Sequence, residues 1–271
     1  MDNVAKIKTQ EGPKDSVELY LKQSIKEAVD AIGGFGELIK NGDAVLLKPN
    51  FNTADPFPAS TDPEFLKAVT ELVYEHGAGR VIIGDSSTMS AKTRKVMEDL
   101  KIFDLEKLNP APQIVVFEEG NWVDKKIPNG KYLTGVKVPE ILGRVNKLIL
   151  LPCLKTHFLA QFTGSLKISV GFMKPFQRMN LHMSHLQEKI AELNTIINPD
   201  LIIMDGRKCF INKGPSEGEI REPGLILAST SRLALDIEGI KIIQSFDGNS
   251  LSGIKPEDLP QIKRAIELNI K

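Results

Sequence analysis

Polar and charged side chains follow four apolar runs of the chain, at the points where buried strands are predicted to end. These side chains are Lys48 and Asn50, then Asp85 and Ser86, then Lys155 and His157, and finally Asp205. Any one of these ends can be explained by turn formation, because Asp, Asn and Ser are common turn residues. Together they favour a shared cleft, since ligands of open α/β sheets bind beyond the carboxyl ends of the strands.

A long segment without acidic residues indicates the charge of the ligand. Residues 141–187 contain no Asp or Glu over 47 positions, yet they contain six Lys or Arg residues and three of the four histidines. A basic surface of this kind attracts phosphates, nucleotides or carboxylates. The alternative is a solvated face whose acidic partners come from other segments of the chain. We favour the anion site over this alternative.

The candidate catalytic residues are His157, Lys155 and Lys167. His157 is the candidate general acid or base, because imidazole titrates near neutral pH. Lys155 and Lys167 are candidates for holding an anion, or for nucleophilic attack if they are removed from water. The residues predicted to bind the ligand or a cofactor are Lys48, Asn50, Asp85, Ser86, Thr163 and Gly164.

Two glycine-containing segments are candidate cradles for the anion. Thr163-Gly164-Ser165 stands just before a helix predicted over 165–174, and the second segment is 214–218. Glycine and hydroxyl residues at a helix N-terminus present free backbone N–H groups to a phosphate. Neither segment matches the phosphate loop that ends in Gly-Lys-Ser/Thr, nor the dinucleotide pattern GxGxxG.

His182 is the candidate metal ligand. It shares a helical face with His185 if that turn is formed, and with His157 it could supply imidazole ligands to a transition metal. The alternative is that His182 and His185 are exposed or capping residues at the start of a helix predicted over 184–197. We favour this alternative for His185 and leave both open for His182.

Three further side chains have an open choice of roles. Cys153 is either a catalytic thiol or, as is commoner for a lone cysteine, a buried apolar residue. Asp205 and Asp236 could hold a cation through their carboxylate oxygens. Asp236 stands among Leu233, Leu235 and Ile237, and it could equally start a helix.

The elements that would position these side chains alternate between short apolar runs and longer amphipathic ones. Strands are predicted at 44–48, 80–84, 113–117, 147–151, 200–204 and 225–228, and helices at 62–77, 90–100, 184–197, 231–245 and 256–268. Unbroken apolar strands are buried on both faces, and helices between them imply parallel crossovers. The sequence therefore predicts an α/β fold, a layered and mainly parallel sheet flanked by helices. A small β insertion is expected near 118–140, around the turn at Asn129-Gly130.

Composition limits the classes of function. The chain of 271 residues predicts one α/β domain over 1–271, with two lobes as the alternative. It has 35 Lys and Arg, 35 Asp and Glu, and only 6% aromatic residues, which argues against a nucleic-acid partner. The apolar run 148–154 is too short to cross a membrane, and residues 1–16 lack the apolar core of a signal peptide. We expect a cytoplasmic protein that has neither a nucleic-acid nor a membrane partner.

Several of these motifs together resemble the DUF362 family. They are VLLKPNF (45–51), VIIGDSS (81–87), LPCLKTHFLAQFTGSLKISVG (151–171), IIMDG (202–206) and KGPSEG (213–218). The resemblance extends from about residue 43 to about residue 240, and Lys155-Thr156-His157 with the downstream Thr-Gly-x-Leu-Lys is its most specific part. Ile168 stands where family members often carry Asn.

The DUF362 resemblance also bears on partners. Many members of the family are linked to a bis-cluster ferredoxin module. The two cysteines of this chain cannot supply an iron–sulfur cluster, so we expect none in this chain. The resemblance therefore implies a ferredoxin-like partner for any role in electron transfer.

The segment from His157 to Lys167 is also similar to part of the nickel-dependent lactate racemase family. In that family the segment contains a catalytic His and a Lys that carries a nickel-pincer nucleotide, and a later His coordinates the metal. The similarity implies an acid/base role for His157, cofactor attachment at Lys167 and metal coordination by His182. Asp85 stands where that family has a turn that contains His.

Two hypotheses of function follow. The first is an enzyme that binds an anionic small molecule or a nucleotide-like cofactor in the basic cleft and performs metal-assisted acid/base chemistry, such as racemisation. The expected cofactor is a transition metal or a metal-nucleotide. The alternative is a non-catalytic protein that binds a cofactor or metal and acts with a ferredoxin-like redox partner.

Overall fold

The computed structural model describes residues 3–10 and 17–271. The N-terminal segment in which no signal-peptide core is expected lies partly outside these residues. The strands of the main sheet that concern the site are β1 Ala5–Lys8, β2 Ala44–Lys48, β3 Arg80–Asp85, β4 Gln113–Val116, β7 Lys147–Leu150, β8 Cys153–His157, β9 Gln161–Thr163, β10 Leu201–Phe210, β11 Ile220–Arg221 and β12 Leu225–Ser229. The helices are α1 Val17–Asp30, α2 Phe35–Leu38, α3 Pro63–Glu75, α4 Thr93–Asp99, α5 Arg178–Met183, α6 Leu186–Leu193, α7 Arg232–Gln244 and α8 Pro260–Glu267.

The main sheet follows the order β1-β12-β10-β7-β2-β3-β4. From β10 to β4 all neighbouring strands are parallel, whereas at one edge β12 pairs antiparallel with β10 and β1 pairs antiparallel with β12. The predicted α/β fold with a mainly parallel sheet is therefore confirmed. No helix within the described ranges is both long and apolar enough to cross a membrane.

Successive residues of the central strands face two separate cores. Leu46 packs into a core that also contains residues of α6, α7 and α8, whereas Val45 and Leu47 pack into a core that contains residues of α1, α3 and α4. All three side chains are fully buried. Because side chains alternate along a strand, an unbroken apolar run such as AVLL is what a sheet covered on both faces requires.

The predicted β insertion is also confirmed. Strands β5 Trp122–Lys126 and β6 Gly135–Pro139 form a separate antiparallel pair with the turn at Asn129-Gly130 between them. Glu192 of α6 holds the loop, because its carboxylate accepts hydrogen bonds from the backbone N–H groups of Lys131, Tyr132 and Leu133 at 2.8–2.9 Å.

Three elements near the site differ from the prediction. The chain turns at Pro152 and continues as β8, so Lys155 and His157 lie on a strand and not in a loop. β10 runs on to Phe210 because its second half pairs with β8 and β11, and Asp205 therefore lies within the strand. The helix predicted over 165–174 is a short 3₁₀ turn, Lys167–Phe172. The helix predicted over 184–197 is the shorter α6, and a separate helix, α5, precedes it.

Candidate functional site

The carboxyl ends of β2, β3 and β8 meet at a cavity of about 400 Å³. Nine of the ten predicted site residues line it, from five different parts of the chain. They are Lys48, Asn50, Asp85, Ser86, Lys155, His157, Thr163, Lys167 and His182. The tenth, Gly164, does not line the cavity.

Positive charge dominates this cavity. Its lining contains four Lys or Arg side chains and a single carboxylate, that of Asp85. The cations are Lys48, Lys155, Lys167 and Arg178. An excess of cations at the ends of parallel strands suits an anionic ligand.

The first lysine is neutralised within the protein. Lys48 Nζ lies 2.6 Å from Asp85 Oδ1, and the two side chains are only 1% and 3% exposed. Asp85 also accepts hydrogen bonds from the backbone N–H groups of Phe51 and Ser86, at 2.7 and 2.6 Å. Burial lowers the pKa of Lys48, and the carboxylate of Asp85 opposes that shift. This ion pair joins the ends of β2 and β3, and so it builds the cavity floor.

Two more residues complete the floor. A Cβ atom at Gly171 would lie 2.6 Å from Lys48 Nζ and 2.7 Å from Asp85 Oδ1, so the 3₁₀ turn packs on the ion pair only with glycine there. Ser86 Oγ accepts a hydrogen bond from Arg178 at 2.6 Å and donates one to Glu118 at 2.7 Å. The predicted ligand-binding role of Ser86 remains a prediction, but its hydroxyl already has two protein partners.

Arg178 is a cavity residue that the sequence did not single out. Its guanidinium is 5% exposed and donates to the carbonyl oxygens of Ser86, Ser87, Gly171 and Met173. Burial lowers the pKa of Arg178. In the sequence, only its position in the segment 141–187, which lacks acidic residues, pointed to a role in the site. Four of its partners are backbone carbonyls, which no side-chain motif reveals. We call Lys48, Asp85, Ser86 and Arg178 the paired group.

Lys155 is held by backbone oxygens and keeps its charge uncompensated. Its Nζ donates to the carbonyl oxygens of Ala59 and, at 3.1 Å, Pro215. Burial lowers its pKa to about 8. Pro215 and Ser216 belong to the second predicted cradle, segment 214–218, and both line the cavity.

Lys167 has neither a hydrogen bond nor an ion pair within the described ranges. It is partly buried, and burial together with the positive charges of Lys155 and Arg178 lowers its pKa to about 7. A large fraction of this amine is therefore unprotonated at neutral pH. A neutral amine can accept a proton or attack an electrophile, which an ammonium cannot do.

His157 has a fixed tautomer. Its Nδ1 accepts hydrogen bonds from the backbone N–H groups of Leu159 and Ala160, at 3.0 and 3.1 Å. The ring proton must then lie on Nε2. Burial, followed by the charges of Lys167 and Lys155, lowers the pKa of His157 to about 2. We interpret His157 as a neutral hydrogen-bond donor, and its predicted acid/base role remains a prediction.

His182 has the opposite tautomer. It lies on α5 at the exposed mouth of the cavity, with Nδ1 2.7 Å from the carbonyl oxygen of Arg178. An Nδ1–H group that donates to this carbonyl leaves the lone pair on Nε2. That nitrogen can accept a proton or coordinate a metal. We call Asn50, Lys167 and His182 the open group; the side-chain amide of Asn50 also makes no hydrogen bond within the described ranges.

The first predicted cradle already holds a carboxylate of the protein. Asp236, on α7, accepts hydrogen bonds from the N–H groups of Ser165 and Leu166 at 2.6 and 3.0 Å. A Cβ atom at Gly164 would lie 2.4 Å from Asp236 Oδ1. Gly164 is therefore needed for close packing against Asp236, and its predicted role in binding a cofactor stays a prediction. Thr163 lines the cavity, but its Oγ1 is buried without a hydrogen-bond partner.

The remaining candidates lie outside the cavity. Asp205 forms an ion pair with Arg207 at 2.6 Å, and Arg207 also pairs with Asp62. Cys153 is buried, and burial raises its pKa to about 12, which suits a packing role and not a catalytic thiol. In the part of the chain that the structure describes, no group of three or more His, Cys, Asp or Glu side chains is arranged to hold a metal.

Two solved structures define the fold class. The lactate racemase apoprotein from Thermoanaerobacterium thermosaccharolyticum superposes with a TM-score of 0.59 at 11% identity, over 89% of this chain and 62% of that one. A protein from Thermotoga maritima superposes with a TM-score of 0.50 at 12% identity, over 93% and 58%. This chain therefore spans about three fifths of the length of each structure. At these identities, the similarities show a shared α/β fold.

The family follows from sequence. A model of a domain of unknown function, DUF362, matches residues 45–241, and the chain belongs to this family. A thylakoid-associated protein from Synechocystis sp. is 31% identical over 232 residues, which cover 83% of this chain and 70% of that protein. The predicted resemblance to DUF362 is thereby confirmed.

Proposed function

We propose that this chain is an enzyme that binds a small organic anion or a nucleotide-like cofactor in the cavity and moves a proton there. The observation that carries the proposal is Lys167, an amine with a pKa lowered to about 7 and no protein partner within the described ranges, in a cavity with four cations and one carboxylate. A lysine of this kind with no function would destabilise the fold, because no hydrogen bond or ion pair offsets the cost of removing its amine from water.

Each side chain has a distinct task in this proposal. Lys155 attracts the anionic group of the ligand, while Nε2–H of His157 donates a hydrogen bond to it. Lys167 and His182 exchange protons with the ligand, because each presents a lone pair in its neutral form. Racemisation is the sharpest version, since it needs a proton removed and returned at one carbon. The fold shared with a lactate racemase apoprotein supports this version.

A bare metal ion does not fit the protein side chains, because the described residues form no group of three ligands. A metal-nucleotide fits better. Its phosphate or carboxylate would lie near Lys155, Lys167 would be the point of attachment, and Nε2 of His182 would be one ligand of the metal. In this version Lys167 and His182 would hold the cofactor and would not exchange protons, so the acid/base role would fall to His157. When bound, such a cofactor supplies an electrophilic centre next to the reacting carbon.

Native mass spectrometry with elemental analysis tests the proposal, using wild type and Lys167→Met. The cofactor version predicts added mass that maps to residue 167 and is lost in the variant. If the wild type has its bare mass, the soluble-anion version predicts saturable phosphate binding that Lys167→Met weakens at least tenfold. A bare chain without such binding would overturn the proposal. A bound cofactor without turnover would favour the non-catalytic carrier that acts with a ferredoxin-like partner.

A further inference from the structure

The mouth of the cavity is lined by large apolar side chains that face solvent. Phe158, Leu159 and Met89 all line the cavity, yet they are 70%, 50% and 47% exposed. The cations Lys48 and Lys155 lie deep in the same cavity and are each 1% exposed. The cavity therefore has a charged floor and an apolar mouth.

These side chains are held in place at the mouth. The backbone N–H of Phe158 donates to the carbonyl oxygen of Gly214 at 3.1 Å, and that of Leu159 donates to His157 Nδ1 at 3.0 Å. The ring of Phe158 also stacks on that of His157, with centroids 5.2 Å apart and planes 12° apart. These three contacts fix the turn at residues 158–159, and its apolar side chains remain exposed to water.

Three more exposed apolar side chains lie in the chain segment that contains two cavity residues. Phe176, Met179 and Met183 are 76%, 50% and 80% exposed, and they flank the cavity residues Arg178 and His182 along the chain. Clustered apolar exposure on a folded protein marks a place where something binds. Phe158, Leu159 and Met89 line the cavity itself. The group that would cover them is therefore an apolar part of the ligand that binds in the cavity.

We propose that the ligand of this cavity is an amphiphilic organic anion. Its carboxylate or phosphate group lies near Lys155 and Lys167, and its hydrocarbon part lies against Phe158, Leu159 and Met89. This inference rests on the proposed function, because it requires the anion site. It adds the class of substrate: an anion whose affinity depends on an apolar chain as well as on charge.

Calorimetric titration with n-alkyl phosphates from ethyl to octyl, below their critical micelle concentrations, tests the inference. Full burial of one methylene group raises affinity about fourfold. We expect two- to fourfold per methylene, roughly, until the chain passes beyond the mouth. A matched series of n-alkyl carboxylates shows which anionic group the site prefers, and the same dependence on chain length is expected in the preferred series.

Two variants assign the dependence to the mouth. Phe158→Ser with Leu159→Ser should reduce the gain per methylene to less than about 1.3-fold, because the apolar contact is lost. Both side chains are at least half exposed, so these substitutions leave the core intact. Leu19→Ser on α1, where Leu19 is 68% exposed and outside the cavity lining, is the matched control and should keep the full gain.

The outcomes separate this inference from the proposed function. Equal affinity along both series, with binding still weakened by Lys167→Met, would overturn the amphiphilic ligand and leave the anion site standing. No Lys167-dependent binding of any member would overturn the proposed function itself. A gain that persists in the Phe158/Leu159 variant, together with co-sedimentation on phosphatidylcholine vesicles, would assign the apolar side chains to a bilayer and overturn the inference.

Discussion

The paired group and the open group share one cavity but differ in how their polar atoms are satisfied. In the paired group, Lys48 and Asp85 neutralise each other at 2.6 Å, and Arg178 donates to four backbone carbonyls. In the open group, Lys167 and Nε2 of His182 have no protein partner within the described ranges. One set of polar residues therefore holds the cavity together, and the other set is left without protein partners that would compete with a ligand.

The largest expected effect is the loss of stability when the ion pair of the paired group is removed. Asp85→Ala should lower the free energy of unfolding by about 3–5 kcal/mol, because it leaves the buried charge of Lys48 without a partner. Urea denaturation monitored by circular dichroism measures this. Adding Lys48→Met should recover part of the loss. A loss below about 1 kcal/mol for Asp85→Ala would show that the pair does not support the fold.

Chemical labelling tests the lowered pKa of Lys167 in the open group. At pH 7 Lys167 should react with acetic anhydride on the order of a hundred times faster than the exposed lysines, because its pKa of about 7 leaves much of it unprotonated. Peptide mapping after brief labelling gives the rates. Lys95, which is 64% exposed and paired with Asp99, is the internal reference. Equal rates for the two lysines would contradict the lowered pKa.

His157 and His182 should differ in how much each contributes to the stability of the fold. His157→Ala should lower the free energy of unfolding by about 1–3 kcal/mol, because the N–H groups of Leu159 and Ala160 lose their acceptor. His182→Ala, at an exposed position, should change it by less than about 0.5 kcal/mol. Both variants should also lose the proposed proton-transfer activity. Equal stability of the two variants would show that the tautomer of His157 is not held by these bonds.

The smallest effect concerns pH. The pKa of Lys167 falls from 10.5 to about 7 on folding, so the unfolded chain binds more protons between these values. The stability of the wild type should therefore rise from pH 7 towards pH 10 relative to that of Lys167→Met. Partial exposure limits the difference to about 1 kcal/mol. Parallel pH–stability profiles of the two proteins would show that Lys167 does not titrate in this range.

The apolar strands could be predicted because burial on both faces demands unbroken apolar runs, as in 44–47. The second half of β10 could not, since Asp205 and Arg207 satisfy each other within the strand and look like turn residues in the sequence. The convergence of the strand ends was predictable from the rule for parallel sheets. Which polar atoms remain unpaired was not, because that depends on contacts between distant segments.

The predicted cradle at Thr163-Gly164-Ser165 shows most clearly what could not be predicted from the sequence. A loop that binds an external anion and a loop that binds an internal carboxylate use the same glycine and hydroxyl residues. Only the arrival of Asp236, 71 residues beyond Ser165, decides between them. The place of Arg178 in the cavity could not be predicted for a similar reason, since its partners are mostly carbonyl oxygens that every residue possesses.

The bond between Asp236 and the 165–166 backbone also orders events during synthesis. Lys167 follows directly after the two N–H groups that this carboxylate satisfies. Those groups remain without their partner until the ribosome has made α7 and that helix has docked. A nascent chain that stops short of α7 therefore lacks the carboxylate that fixes the backbone just before Lys167, and this loop is completed only after most of the protein has been made.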